Sequence, residues 1–208
     1  MTNDLDSVKT ALTGQRAYHH GALRATLLEA AEALIEERGL DRFSLRETAR
    51  RAGVSPAAPA HHFRDARGLL TAIATEGFRE LSEALEEGNV GDDRHARIMG
   101  QGRAYVRFAL ARPARFALMW RKAILDVDDP AHVEAGDRAF QILDRAVRGE
   151  NAGRSGPHDP ALAPSIACWS MVHGFALLAL DGAFGSDEGA PELAAELLLP
   201  SVLGHLAV

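Results

Sequence analysis

The stretch SLRETARRAGVSPAAPAHHFRDAR, residues 44–67, predicts two short helices joined by a tight turn. Ser44 followed by Glu47 is a capping box, which predicts a helix start at Ser44. Gly53 supplies the left-handed backbone that ends such a helix. Ser55 is a good N-cap for a second helix, and the proline after it suits the first helical position. Helix, turn and helix is the layout of a helix-turn-helix, whose second helix enters the major groove of DNA.

The charge of this stretch separates that interpretation from an ordinary helical hairpin, which the same pattern would also fit. From Arg42 to Arg67 there are six arginines against Glu47 and Asp65, a local charge of +4 in a chain whose total is −6. Steering toward phosphates depends on the local patch rather than on the total charge. The patch therefore favours DNA binding.

The composition predicts a globular protein of one large or two small domains, since 208 residues that are 47% hydrophobic can bury a sizeable core. The single cysteine, Cys168, excludes a disulfide framework and suits a reducing cytoplasm. No uncharged apolar run of about 18 residues occurs before the C-terminal third, and the start lacks a signal-peptide pattern. We expect a cytoplasmic protein without a membrane span.

The spacing of apolar residues predicts an all-α chain of about nine helices and almost no strand. We divide it into a flexible arm (1–17), a three-helix helix-turn-helix DNA-binding domain (18–80) and an all-helical ligand-binding and dimerisation domain (81–208). Beyond the helix-turn-helix, the expected helices are 22–38, 65–87, 94–111, 114–125, 131–150, 161–184 and 191–207.

The last two predicted helices, 161–184 and 191–207, carry apolar residues on more than the one face that the rest of the chain can cover. A helix that is apolar all round must be covered on all sides. A second subunit is the simplest cover, so we expect a homodimer through these two helices. A core helix buried within a single chain is the alternative.

The segment YHHGALRATLLEAAEALIEERGLDRFSLRETARRAGVSPAAPAHHF, Tyr18–Phe63, resembles the DNA-binding domain of the TetR family of transcriptional regulators. Later, Trp169-x-x-x-His173-Gly174 resembles the subgroup of that family named for its Trp-His-Gly motif. The resemblance implies an N-terminal domain that binds double-stranded operator DNA. It also implies an all-helical C-terminal domain that binds a small-molecule effector and dimerises.

This chain departs from the family at two positions. Ala60 stands where the family has a tyrosine whose hydroxyl reaches a phosphate, and Ala66 stands where it has a lysine. We therefore expect weakened phosphate affinity. The expected DNA-binding positions are Arg46, Ser55, Ala57, Ala60, His61, His62, Arg64 and Arg67.

We expect an apolar ligand pocket in the second domain, lined by its aromatic residues. The alternative is that these residues only form the hydrophobic core. His173 is predicted as the polar anchor of the pocket, with Asp137 or Asp181 as possible partners, because a buried imidazole needs a hydrogen bond. A place at the dimer seam is the competing interpretation of His173. The expected ligand-binding residues are Tyr105, Phe116, Met119, Trp120, Phe140, Trp169 and His173.

The pattern of the whole chain is typical of a ligand-responsive repressor released from a palindromic operator by a small apolar effector. The sequence contains no G-x-S-x-G, P-loop or G-x-G-x-x-G motif and no plausibly spaced metal ligands, so we expect neither an enzyme nor a cofactor or metal. A helical small-molecule binding protein with weakened or lost DNA binding is the alternative, and Ala60 and Ala66 would suit it.

Overall fold

The computed structural model describes residues 5–153, 156, 158–185 and 187–205, with side chains from Ala22 onward. Within these ranges every regular element is helical, which confirms the all-α prediction. In chain order the helices are α1 (Leu5–Arg38), α2 (Leu45–Arg51), α3 (Ala58–Phe63), α4 (Ala66–Gly88), α5 (Arg94–Ala111), α6 (Pro113–Met119), α7 (Pro130–Arg148), α8 (Ala163–Leu180), α9 (Ala190–Leu197) and α10 (Leu199–Leu203). Short 3-10 turns lie at Leu40–Arg42, Lys122–Ile124, Gly149–Asn151 and Pro160–Leu162.

The described part of the chain has ten helices rather than about nine because Pro200 divides the last one. Proline has no amide hydrogen and its ring collides with the preceding turn, so it starts a helix and does not continue one. Accordingly α9 ends at Leu197 and α10 begins at Leu199. The predicted helix 191–207 was wrong on this point.

The chain forms two compact units that divide between Ile73 and Ala74, inside α4. The predicted boundary at residue 80 lies seven residues later. Phe78, one of the residues between the two boundaries, lines a cavity of the second unit.

The first unit is built on α1, whose apolar face is buried as its spacing predicts. Leu27, Ala31 and Leu34 are each at most 3% exposed. Residues 5–17 of the expected arm belong to α1, and residues 1–4 of it lie outside the described residues. Phe63, at the end of α3, is buried, and the Arg24 guanidinium lies 5.3 Å from the centre of its ring.

The second unit is arranged around α5, which packs against α6, α7, α8, α9 and α10. Asp93 caps α5 by accepting a hydrogen bond from the Ala96 amide at 2.7 Å, and Pro113 separates α5 from α6. The core holds Val106, Phe116 and Ile142, all nearly inaccessible to solvent.

One segment, Pro160–Leu180, is long and apolar enough to cross a membrane by length and composition alone. It includes α8, whose inner face is buried against α5 and α7 through residues such as Cys168, Val172 and Ala176. Its outer face carries Ile166, Leu177 and Leu178, which are exposed.

Candidate nucleic-acid interface and ligand cavity

The first helix of the candidate nucleic-acid interface starts as the sequence predicts. The Ser44 hydroxyl accepts a hydrogen bond from the Glu47 amide at 3.2 Å, which satisfies an otherwise unpaired donor at the start of α2. The Glu47 carboxylate does not reach back to complete the capping box. Arg50 binds it at 2.7 and 3.0 Å and Arg38 at 3.1 Å, and these bonds lower the pKa of Glu47 to about 2.

The second helix of the interface starts later than predicted. Ser55 makes no side-chain cap. Its carbonyl accepts from the Ala58 amide in a turn, and α3 begins at Ala58 with Ala57 as its N-cap residue. Pro59 is thus the second residue of α3, where its missing amide hydrogen costs no helical bond.

The chain leaves α3 through a strained turn centred on Arg64. Its backbone angles, φ 67° and ψ −60°, and a 2.8 Å hydrogen bond from the Asp65 amide to the Phe63 carbonyl define the rare γ-turn of positive φ. Arg64 is the one non-glycine residue with positive φ in the described chain. The Asp65 side chain then caps α4 by accepting from the Gly68 amide at 2.8 Å.

Seven of the eight predicted DNA-binding positions are exposed to solvent. The exception is His62, which is half-buried, with its ring 5.4 Å from that of His61. The exposed positions are Arg46, Ser55, Ala57, Ala60, His61, Arg64 and Arg67.

Arg50 and Arg51, in the predicted basic patch, form ion pairs within the protein. The Arg50 guanidinium binds Glu47, and Arg51 binds Glu37 with two hydrogen bonds of 2.6 Å. The charge count of residues 42–67 therefore overstates the positive charge at this surface, because Glu37 lies outside that window.

A cavity of about 610 Å³ lies in the second unit among α4, α5, α7 and α8, with the 3-10 turn at Lys122 and the end of α10 completing its wall. The lining residues are Phe78, Leu81, Leu85, Ile98, Gln101, Gly102, Tyr105, Trp120, Lys122, Gly136, Asp137, Ala139, Phe140, Leu143, Cys168, Trp169, Val172 and Leu203. Cavities of this size and apolar character hold small molecules in other proteins.

The structure brings four of the seven predicted ligand-binding residues to the cavity wall: Tyr105, Trp120, Phe140 and Trp169. Phe116 and Met119 are not among the lining residues. They are at most 2% exposed, and the Phe116 ring packs 5.7 Å from that of Tyr105. The spacing of apolar residues along α6 predicted that Phe116 and Met119 are buried. It could not show that they pack behind the lining residues instead of bordering the cavity.

His173 is likewise absent from the lining residues, and neither Asp137 nor Asp181 is its partner. Its Nδ1 lies 2.8 Å from the Tyr105 hydroxyl. Burial lowers the pKa of His173. Burial also raises the pKa of Tyr105, and an interaction with Trp169 lowers that pKa by a smaller amount. The Tyr105 hydroxyl and His173 Nδ1 thus share a hydrogen bond, which gives the imidazole its partner.

Gln101 was missed as a site residue. It lies three residues after Ile98 and four before Tyr105, on the same face of α5, and it lines the cavity while only 1% exposed. A glutamine at an otherwise apolar helical position was the available signal. No group of three or more His, Cys, Asp or Glu residues that could hold a metal ion occurs in the described ranges.

Comparisons with known proteins agree with this architecture. Residues 27–73 match the family described as bacterial regulatory proteins of the tetR family. Residues 98–202 match the family described as the tetracyclin repressor-like C-terminal domain. Because that second match alone covers more than half of the 208 residues, the chain belongs to the TetR family.

Individual relatives resemble the chain to different extents. The HTH-type transcriptional regulator BetI of Yersinia pestis (strain Pestoides F) is 41% identical over 64 residues, which are 31% of this chain and 32% of that regulator. The chain thus matches about a third of the length of its curated relatives. A protein of unknown function from Rhodococcus sp. RHA1 is 37% identical, with a TM-score of 0.71 over 92% of this chain and 98% of that one. The TetR family regulator PfmR of Thermus thermophilus, 22% identical with a TM-score of 0.64 over 88% of this chain and 99% of its own, shares the fold.

Proposed function

We propose that this protein is a cytoplasmic, ligand-responsive DNA-binding regulator, a repressor that a small apolar effector releases from a palindromic operator. The observation that carries the proposal is the helix-turn-helix of the first unit, with Arg46 exposed on α2 and Arg64 exposed at the end of α3. The match of residues 27–73, which include that motif, to the family of bacterial regulatory proteins supports it. Membership of the Trp-His-Gly subgroup remains part of the proposal.

In this proposal α3 lies in the major groove and the flanking cations bind phosphates. Ala60 offers only a methyl group, so phosphate binding depends on arginines and on His61. Arg46, Arg64 and Arg67 are exposed at predicted DNA-binding positions. We assign the phosphate contacts to these three.

The dimer forms through the outer faces of α8 and α9. Six of the large apolar side chains there are at least 40% exposed: Ile166, Leu177, Leu178, Leu193, Leu197 and Leu198. Contiguous exposed apolar patches mark interaction surfaces in soluble proteins. A second copy of the chain covers this surface and gives the two-fold symmetry that a palindromic operator requires.

The effector occupies the cavity of the second unit. Release then follows from a coupling free energy: an effector that prefers the DNA-free state of the dimer weakens operator binding, and the operator weakens effector binding by the same factor. The helical binding protein without a DNA role is the competing function, and it is distinguished by an experiment on DNA.

Fluorescence anisotropy of the protein on DNA flanking its own gene, at several salt concentrations, tests the DNA-binding part. Each lost phosphate contact should lower the salt dependence, the slope of log K against log salt, by about one. We expect this for Arg46→Ala and for Arg64→Ala. Arg138→Ala removes the same charge from the exposed surface of α7 and serves as the control, with an unchanged slope.

An absence of binding at every salt concentration would support the helical binding protein without a DNA role. Equal slopes for Arg46→Ala, Arg64→Ala and Arg138→Ala would remove the assignment of the first two as phosphate contacts while leaving DNA binding in place.

A further inference from the structure

Two polar groups of the cavity make no hydrogen bond with any residue that the structure describes. The first is the Gln101 side chain, of which both the amide nitrogen and the amide oxygen are buried and unpaired. The second is the indole Nε1 of Trp120. Both side chains belong to the cavity wall.

Such groups are rare because burial removes their hydrogen bonds to water without replacing them. The other polar wall residue on the inner face of α5, Tyr105, has a hydrogen-bond partner in His173. The fold thus pairs the hydroxyl of Tyr105 and leaves the amide of Gln101, one helical turn earlier, unpaired. Gln101 and Trp120 are therefore the wall residues whose buried polar atoms have no hydrogen-bond partner in the described structure.

We propose that Gln101 and Trp120 are the residues that hydrogen-bond the effector, and that they select a neutral molecule with an apolar body and a hydroxyl or primary amide head. This inference rests on the proposed function, in which the cavity receives the effector. It replaces His173, whose Nδ1 is already hydrogen-bonded to Tyr105, as the polar anchor.

The chemistry of the two side chains defines the head group. Gln101 offers two N–H donors and a carbonyl acceptor, and the indole of Trp120 offers one donor. A hydroxyl or primary amide both accepts from these donors and donates to the Gln101 oxygen. A carboxylate can only accept, so it would leave that oxygen unpaired.

Charge on the wall also disfavours an anion. The two ionic residues there, Lys122 and Asp137, are exposed and carry opposite charges. A carboxylate next to Gln101 would be desolvated without a buried cation to compensate it. The body of the ligand is apolar because the rest of the wall is mainly aromatic and aliphatic, with the rings of Trp120 and Trp169 5.5 Å apart.

Isothermal titration calorimetry with three probes of one shape tests this assignment: 2-naphthol, naphthalene and 2-naphthoate. We expect the wild-type protein to bind 2-naphthol about tenfold more tightly than naphthalene, the effect of roughly one added hydrogen bond. It should also prefer 2-naphthol to 2-naphthoate. Gln101→Met, which keeps the length of the side chain, should abolish the preference over naphthalene, and Trp120→Phe should reduce it.

Gln141→Met is the matched control, since Gln141 is exposed on α7 and is not among the lining residues of the cavity. It should leave the preference unchanged. The melting temperature of the ligand-free protein gives a second readout that needs no probe. Gln101→Met should raise it, because an apolar side chain of similar shape replaces an unpaired buried amide. A marked fall would mean that Gln101 serves the fold, and would overturn the proposal.

The outcomes also separate this inference from the function on which it rests. If the wild-type protein binds none of the probes, both the effector site and its polar anchor are rejected. If 2-naphthol binds wild type and Gln101→Met with the same preference over naphthalene, the cavity is a ligand site and only the anchor is rejected. If the preference depends on Gln101 but 2-naphthol leaves DNA affinity unchanged, the anchor stands and the proposed release mechanism is contradicted.

Discussion

At the scale of single residues, the exit from α3 shows how local strain places a cation at the candidate nucleic-acid interface. Arg64 occupies a positive-φ γ-turn, a conformation that costs a side chain of this kind about 1–3 kcal/mol. The turn brings the Phe63 carbonyl so near to Gly68 that a Cβ atom there would overlap it. Strained residues that persist are concentrated at functional sites.

Replacing Arg64 with glycine should therefore separate its conformational cost from its charge. Arg64→Gly and Arg64→Ala lose the same guanidinium, and both should weaken DNA binding equally. Glycine tolerates positive φ, so Arg64→Gly should be more stable than Arg64→Ala by about 1 kcal/mol after the greater chain entropy of glycine is deducted. Urea denaturation of the two variants measures the difference, and equal stabilities would show that the turn carries no strain.

At the scale of elements, Asp144 ties α7 to α8 and to the loop between them. Its carboxylate accepts from Arg148 at 2.6 and 2.8 Å, from the Ser165 hydroxyl at 2.7 Å and from the Gly153 amide at 3.0 Å. The hydrogen bonds from Arg148, with those from Ser165 and Gly153, lower the pKa of Asp144 to about 2. The Asp144 side chain is 3% exposed and that of Arg148 is 7% exposed, so solvent screens the pair little.

Asp144→Asn should lower the free energy of unfolding by about 2 kcal/mol at pH 7. Because folding lowers the pKa, the stabilisation by Asp144 is complete above the unfolded pKa of about 3.9 and is lost as the pH falls through about 2. The difference between wild type and variant should fall to about half by pH 3. Urea denaturation between pH 7 and pH 3 measures it, with Asp137→Asn as the exposed control on α7. A difference that is constant over this range would contradict the assignment.

The end of α4 at Gly88 approaches the first half of α5 at Gly100. A Cβ atom on Gly100 would overlap the Gly88 carbonyl oxygen, whereas one on Gly136, in the middle of α7, would meet no atom within 4 Å. Gly136→Ala should raise the free energy of unfolding by about 0.5–1 kcal/mol, the difference in helix propensity. Gly100→Ala should lower it, since backbone must move. Chemical denaturation of both variants checks this, and a stabilising Gly100→Ala would contradict the close approach.

Local sequence signals predicted the elements well where one residue type decides the outcome. The cap at Ser44 and the bounds of α5 at Arg94 and Ala111 are confirmed. The predicted helix start at Ser55 was wrong because a turn precedes α3, and the predicted continuous helix after residue 191 was wrong because Pro200 interrupts it.

The cavity wall was only partly predicted, since helical spacing identifies buried faces but not which buried residues border a cavity. Gln101 shows this limit most clearly.

At the scale of the whole molecule, the outer faces of α8 and α9 determine the expected assembly. The side chains of Leu178 and Leu197 are 52% and 63% exposed, values unusual for leucines that a single chain covers. A surface helix of this composition is stable in water when another protein surface covers it.

Leu178→Glu and Leu197→Glu should therefore convert the protein from a dimer to a monomer. A charge buried in an apolar interface has no compensating partner, so its desolvation opposes association. Light scattering should give a mass of 22.3 kDa for the variants and twice that mass for the wild type. Val133→Glu replaces a 43% exposed apolar residue on α7 and should remain dimeric. A wild-type monomer would reject the proposed interface.

Footprinting of the protein on the DNA flanking its own gene tests whether it is a dimeric operator-binding regulator. We expect two protected patches related by a two-fold axis, with centres about 34–36 Å apart, the spacing of successive major grooves. Protection should disappear for Leu178→Glu at concentrations at which the wild type protects fully. A single asymmetric patch, or no protection at protein concentrations that saturate other repressors, would contradict it.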